Sequence, residues 1–120
     1  MSMDLNFWRY KKGAVHDHRK VYETACCDRD LVEDLESLPT EKILEKIAEV
    51  FSDWTQLDEK TYEKEPQGAF SVFTTSQIVR FDCYGMDGNN MNKLIDMMLE
   101  FGCPLYDPQI NERFDQGKEY

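Results

Sequence analysis

Residues 69–84 read Ala-Phe-Ser-Val-Phe-Thr-Thr-Ser-Gln-Ile-Val-Arg-Phe-Asp-Cys-Tyr. Two runs, 69–74 and 77–84, flank Thr75-Ser76. Phe70, Val72, Phe73, Ile78, Val79, Phe81 and Tyr84 give both runs the aromatic and β-branched character that fits a pleated, half-buried surface. So short a gap between two strands predicts an antiparallel hairpin.

Towards the C-terminus, Gly85-Met86-Asp87-Gly88 is a turn, and Asp87 or Asn89 is placed to cap a following helix. Met91, Leu94, Ile95, Met98 and Leu99 form that helix's apolar stripe, and Gly102 suits its end. Residues 103–108 read as a short strand, which Pro104 and Pro108 confine to a sheet edge. Residues 111–120 are polar and read as a frayed tail.

Towards the N-terminus, residues 58–68 are a polar connection in which 60–65 extend as an edge strand until Pro66. A helix over 40–51 is the clearest element. Pro39 suits its first turn, Glu41 meets the positive end of the helix dipole, and Ile43, Leu44, Ile47, Val50 and Phe51 form one stripe. Residues 5–10 predict a strand, with Leu5, Phe7 and Arg9 on one side and Asn6, Trp8 and Tyr10 on the other. Between them, 18–27 read as a short helix presenting Val21, Tyr22 and Ala25. Leu31, Val32, Leu35 and Leu38 are expected to pack as an irregular cover on the core.

The order strand, helix, strand, strand, helix, strand predicts an α+β fold of the ferredoxin-like split β-α-β kind. It would have an antiparallel sheet, two helices on one face and an insertion after the first strand. Residues 1–120 read as a single domain, and a chain of 120 residues with 41% hydrophobic content can build one core.

Charge narrows the function classes. There are 24 Asp and Glu against 14 Lys and Arg, a net charge of −10. Such a surface repels phosphate backbones and anionic headgroups, so neither nucleic acid nor membrane is the expected partner. The same field steers a basic protein into contact. The first twelve residues carry Asp4, Arg9, Lys11 and Lys12 without an apolar core, unlike a secretory signal. Cys26, Cys27, Cys83 and Cys103 match no secreted framework and read as reduced thiols, which points to a cytoplasmic location.

No residue set predicts catalysis. His16-Asp17-His18 is the one metal candidate, since two imidazoles two residues apart can share an ion in an extended segment, with Cys26 or Cys27 as a thiolate. The paired spacings typical of zinc sites are missing, so no metal and no cofactor is expected. A nucleophilic cysteine needs a base, and His16 and His18 are the only imidazoles. Gly85-x-x-Gly88 lacks the Lys-Ser/Thr of a phosphate-binding loop. Asp82 and Asp87 are not singled out as a carboxylate pair.

Trp8, Tyr10, Trp54, Tyr62 and Tyr84 are polar-tipped rings that cannot all be buried, and exposed rings among carboxylates suit a protein interface. The ending Phe101-Gly102-Cys103-Pro104-Leu105-Tyr106-Asp107-Pro108-Gln109 resembles small, stand-alone, acidic bacterial proteins of ferredoxin-like build that close on Tyr-Asp-Pro-Gln. Some of these are similar to immunity proteins, which neutralise a toxin by binding it. The resemblance covers the last third of the chain and implies a non-enzymatic, protein-binding role without assigning contact residues. Acids near a Tyr or Trp are the expected partner-binding residues: Asp28, Asp30, Glu33 and Asp34 in one segment, and Trp54, Asp58, Glu59 and Tyr62 in another. The alternatives are a small-molecule-sensing regulatory domain, with a pocket lined by Met86, Met91 and Met98, and a small metal- or thiol-dependent enzyme. Homodimerisation through the sheet is compatible with each.

Overall fold

The computed structural model describes residues 2–14, 17–108 and 112–113. Seven strands form one antiparallel sheet among them: β1 (Ser2–Trp8), β2 (Thr55–Asp58), β3 (Thr61–Lys64), β4 (Gly68–Thr74), β5 (Ile78–Tyr84), β6 (Leu105–Asp107) and β7 (Glu112–Arg113). Their spatial order is β2-β3-β4-β5-β1-β6-β7. The helices are α1 (His18–Val21), which runs directly into a π-helical segment (Tyr22–Cys27), then α2 (Thr40–Val50) and α3 (Gly88–Glu100).

This corrects the ferredoxin-like split β-α-β expectation. The sheet has seven strands, and α2 leads not into the β4–β5 hairpin but into the β2–β3 hairpin, which extends the sheet past β4. Residues 61–64 form an interior strand because they fit the open edge of β4, pairing Thr61 with Ser71 and Tyr62 with Phe70. β6 is likewise not an edge, since β7 pairs with it. Of the expected frayed tail, Glu112–Arg113 form β7, and 111 and 114–120 lie outside the described residues. The chain is a strand-rich α+β structure.

The local signals did specify the helices. Asp87 caps α3 by accepting the Asn90 N–H at 2.9 Å. α2 and α3 bury Ile43, Ile47, Leu94, Ile95, Met97 and Met98 against Leu5, Phe7, Phe70, Val72, Val79 and Phe81. Leu99, expected in the stripe, is exposed, and Met97 takes a core place. Met86 and Met98 belong to this same packed cluster, with Met91 against it. At the sheet edge, β2 is exposed throughout, and its pairing with β3 shifts register between Gln56 and Asp58.

The other sheet face carries a second cluster. Period-2 alternation sends Trp8, Ile78 and Tyr106 away from α2 and α3, where Val21, Ala25, Cys26 and Leu35 cover them. Helices therefore lie on both faces, not one. The π-helical segment sits over β5, and Arg80 Nη1 donates to the Cys26 carbonyl at 3.1 Å. Such widened turns recur at functional sites in other proteins.

Candidate functional site

Residues 28–38 leave the π-helical segment and cross the end of the sheet, held at several backbone points. The Asp30 N–H donates to the Thr24 carbonyl at 2.9 Å, the Lys11 N–H to the Asp34 carbonyl at 2.8 Å, and the Glu36 N–H to the Arg9 carbonyl at 2.8 Å. Arg9 and Glu36 also form an ion pair. The principal clamp is Gln77. Its Oε1 accepts the Val32 N–H and its Nε2 donates to the Val32 carbonyl, both at 2.8 Å. One buried side-chain amide thus imitates a strand pair. Arg29 takes the left-handed conformation, φ 62°, and sets its guanidinium 4.8 Å from the Phe73 ring centre. Arg80 stands over the same ring at 5.0 Å.

The clamp buries Leu35 and Leu38, as expected, but turns Leu31 outward with 73% of its surface exposed. Asp28, Asp30, Glu33 and Asp34 are all exposed around it. Among the described residues, none of these four carboxylates forms an ion pair. A groove of about 270 Å³ runs between this segment and α1, with Val21, Leu31 and Val32 giving its apolar part and Asp17, Glu33 and Asp34 its acidic part.

The second expected partner-binding segment differs. Trp54 and Tyr62, expected as exposed anchors, are buried in the core: Trp54 packs on Phe51 and Phe70, and Tyr62 stacks on Phe70 with ring centres 5.1 Å apart. The cause is register, because Tyr62 lies opposite Phe70 on the face that α2 covers. Asp58 accepts the Lys60 N–H at 2.8 Å and the Thr61 hydroxyl at 3.2 Å, which hold its carboxyl below its usual pKa. Asp53 is held low by a 2.5 Å bond from Lys64 Nζ. Glu59 is exposed. Among the described residues, the carboxylates of 53–58 thus have intramolecular partners, whereas those of 28–34 do not. Of the remaining rings, Trp8 is buried and Tyr84 exposed.

His16 lies outside the described residues. His18 shares a 2.8 Å hydrogen bond between its Nδ1 and the Tyr10 hydroxyl, and its ring packs near Trp8 and Tyr106. Among the described residues, no group of three or more His, Cys, Asp or Glu side chains is arranged to hold a metal. Cys26, Cys83 and Cys103 are buried, and burial pushes their thiols up to about 12, 12 and 11, so they stay protonated at neutral pH.

Beneath the π-helical segment lies a polar group the sequence does not single out. Asp4 stands directly opposite Asp82, and Asn6 opposite Arg80. Burial, then the Asp82 charge, raise the Asp4 carboxyl, while Arg80 lowers it. Arg80 Nε lies 3.3 Å from the Asp82 carboxylate. Asn6 is wholly buried, and both its Oδ1 and Nδ2 lack hydrogen-bond partners among the described residues.

Gln77 and Leu31 were not found as site residues from the sequence. Gln77 reads as the first residue of a strand, and its role depends on a segment 45 positions away.

No protein-family model matches the chain, and no curated protein or solved structure matches it either. No described helix is long and apolar enough to cross a membrane.

Proposed function

We propose that this chain is a non-enzymatic binding domain, that residues 28–34 are its recognition element, and that its partner is a basic protein. One observation carries the reading. Four exposed carboxylates, without ion-pair partners among the described residues, surround an outward-facing Leu31 on a segment held in shape by Gln77. A segment ordered before binding loses less conformational entropy on association. Unpaired carboxylates on a chain of net charge −10 speed the approach of a cationic surface. Leu31 supplies the apolar contact that charge alone does not. A basic toxin is the partner class implied by the resemblance of residues 101–109. Four free thiols, three of them buried, agree with a reducing compartment, and we place the protein in the cytoplasm.

The test is an affinity pull-down of the tagged chain from its native cell extract at low and high salt. Wild type is compared with Asp30→Asn/Leu31→Ala/Glu33→Gln and with Asp58→Asn/Glu59→Gln. We expect a basic protein retained by wild type and by the 58/59 variant, weakened by salt and lost from the 30/31/33 variant. Retention that ignores the 30/31/33 changes, or no captured protein at either salt, would overturn the reading.

A further inference from the structure

The groove beside the recognition segment is amphipathic in a way that selects its occupant. Val21 is buried, Val32 half-buried and Leu31 exposed, giving apolar wall on both the α1 side and the loop side. Carboxylates of Asp17, Glu33 and Asp34 edge it, and Lys20 brings one opposing charge, so three negative against one positive leaves an excess of two negative charges. Asp17 is fixed in place, since its Oδ1 accepts the Lys20 N–H at 3.2 Å as the cap of α1.

We propose that this groove receives one lysine or arginine side chain of the protein partner. This inference rests on the binding role proposed above and names the chemistry of the contact. A basic side chain has an aliphatic stem and a cationic head, and buries the first while keeping the second among polar groups. Here the stem lies along Val21, Leu31 and Val32, and the head lies among the carboxylates. A purely apolar side chain would strip water from those carboxylates without replacing its hydrogen bonds. An acidic one would meet the net negative lining. The volume, about 270 Å³, has room for one long side chain and not for a helix or strand.

The probe is the blocked tripeptide acetyl-Gly-Arg-Gly-amide, titrated into the full isotope-labelled chain while the methyl signals of Val21, Leu31 and Val32 are followed by NMR. The lysine tripeptide is run alongside, and acetyl-Gly-Leu-Gly-amide is the control. We expect saturable shifts at those methyls with the basic peptides and none with the leucine peptide. The affinity should weaken about three- to tenfold in Glu33→Gln/Asp34→Asn, as expected for loss of two partly exposed ion pairs. Because both residues are exposed, an unchanged amide spectrum elsewhere checks that the variant is folded. Equal or tighter binding of the leucine peptide, basic-peptide shifts confined to other regions, or no response to either basic peptide would each overturn the assignment. A partner whose capture still depends on Asp30, Leu31 and Glu33 while the groove ignores the basic peptides would sink the occupant and leave the recognition segment standing. Loss of both would sink both.

Discussion

The two faces of the sheet are built to different rules. Under α2 and α3, β1, β4 and β5 present Leu5, Phe7, Phe70, Val72, Val79 and Phe81, and rings interlock around Phe70. Under α1 and the π-helical segment, β1 and β5 present Asp4, Asn6, Trp8, Arg80 and Asp82. There the indole Nε1 of Trp8 and both amide atoms of Asn6 are buried without hydrogen-bond partners among the described residues. One face is a close-packed apolar core, which rewards each buried methylene. The other holds polar groups whose desolvation is incompletely compensated. Stability is therefore concentrated on the α2–α3 face, while the recognition segment is attached to the less favourable one.

The largest test of this contrast is Phe70→Ala. Phe70 is fully buried and lies within 6 Å, centre to centre, of the Phe51, Trp54, Tyr62 and Phe81 rings. Urea unfolding should show a loss of about 3–5 kcal/mol. A loss below about 1 kcal/mol would mean that this face is not the stabilising one.

Asn6→Leu is expected to act in the opposite direction. It replaces two unpartnered buried polar atoms with methyl groups of similar bulk, so unfolding should show a gain of about 1–2 kcal/mol. A comparable loss would reveal that the amide is satisfied in solution, for instance by an internal water, and would erase the contrast between the faces.

The smallest effect is expected from Asp4→Asn. Burial and Asp82 raise the Asp4 carboxyl, so its ionisation is harder in the folded chain than in the unfolded one. Its favourable contribution is fully present below the ordinary value of 3.8 and is lost as pH rises through the raised folded value. At pH 7 the asparagine variant should therefore melt slightly above wild type, with the difference closing as pH falls towards 3.8. A melting-point difference that stays constant over this range would show that the Asp4 charge is not the cause.

These contrasts also mark what the sequence could tell. α2 and α3 were legible because their signals are local: Pro39 and Glu41 at one start, Asp87 as a cap at the other, and apolar residues at helical spacing between. The β4–β5 hairpin was legible for the same reason. An edge strand over 60–65 was legible, but β2 was not. That β2 covers β3 and makes it interior follows from pairing that their weakly alternating residues do not announce. Trp54 and Tyr62 were misplaced on the surface because their burial depends on Phe70, several residues beyond a polar connection. In the candidate site, the acidity of 28–34 was readable, but its shape was not. That shape comes from Gln77, from Phe73 beneath Arg29, and from the backbone of Arg9 and Lys11, all distant in sequence. Leu31 looked like core because nothing within its own segment shows that Leu35 and Leu38 fill the available space.

The position of β1 has a temporal consequence. It is paired on both sides, with β5 and with β6, and its nearest partner in sequence along β5, Ile78 opposite Trp8, lies 70 positions later. At about 5–20 residues per second, a ribosome needs roughly 4–14 s to add those 70 residues. During that interval the strand that will lie inside the sheet has neither of its native strand partners. β1 thus waits for its strand pairing while 70 further residues are added, and its Leu5, Phe7 and Trp8 are open to a nascent-chain chaperone in the meantime.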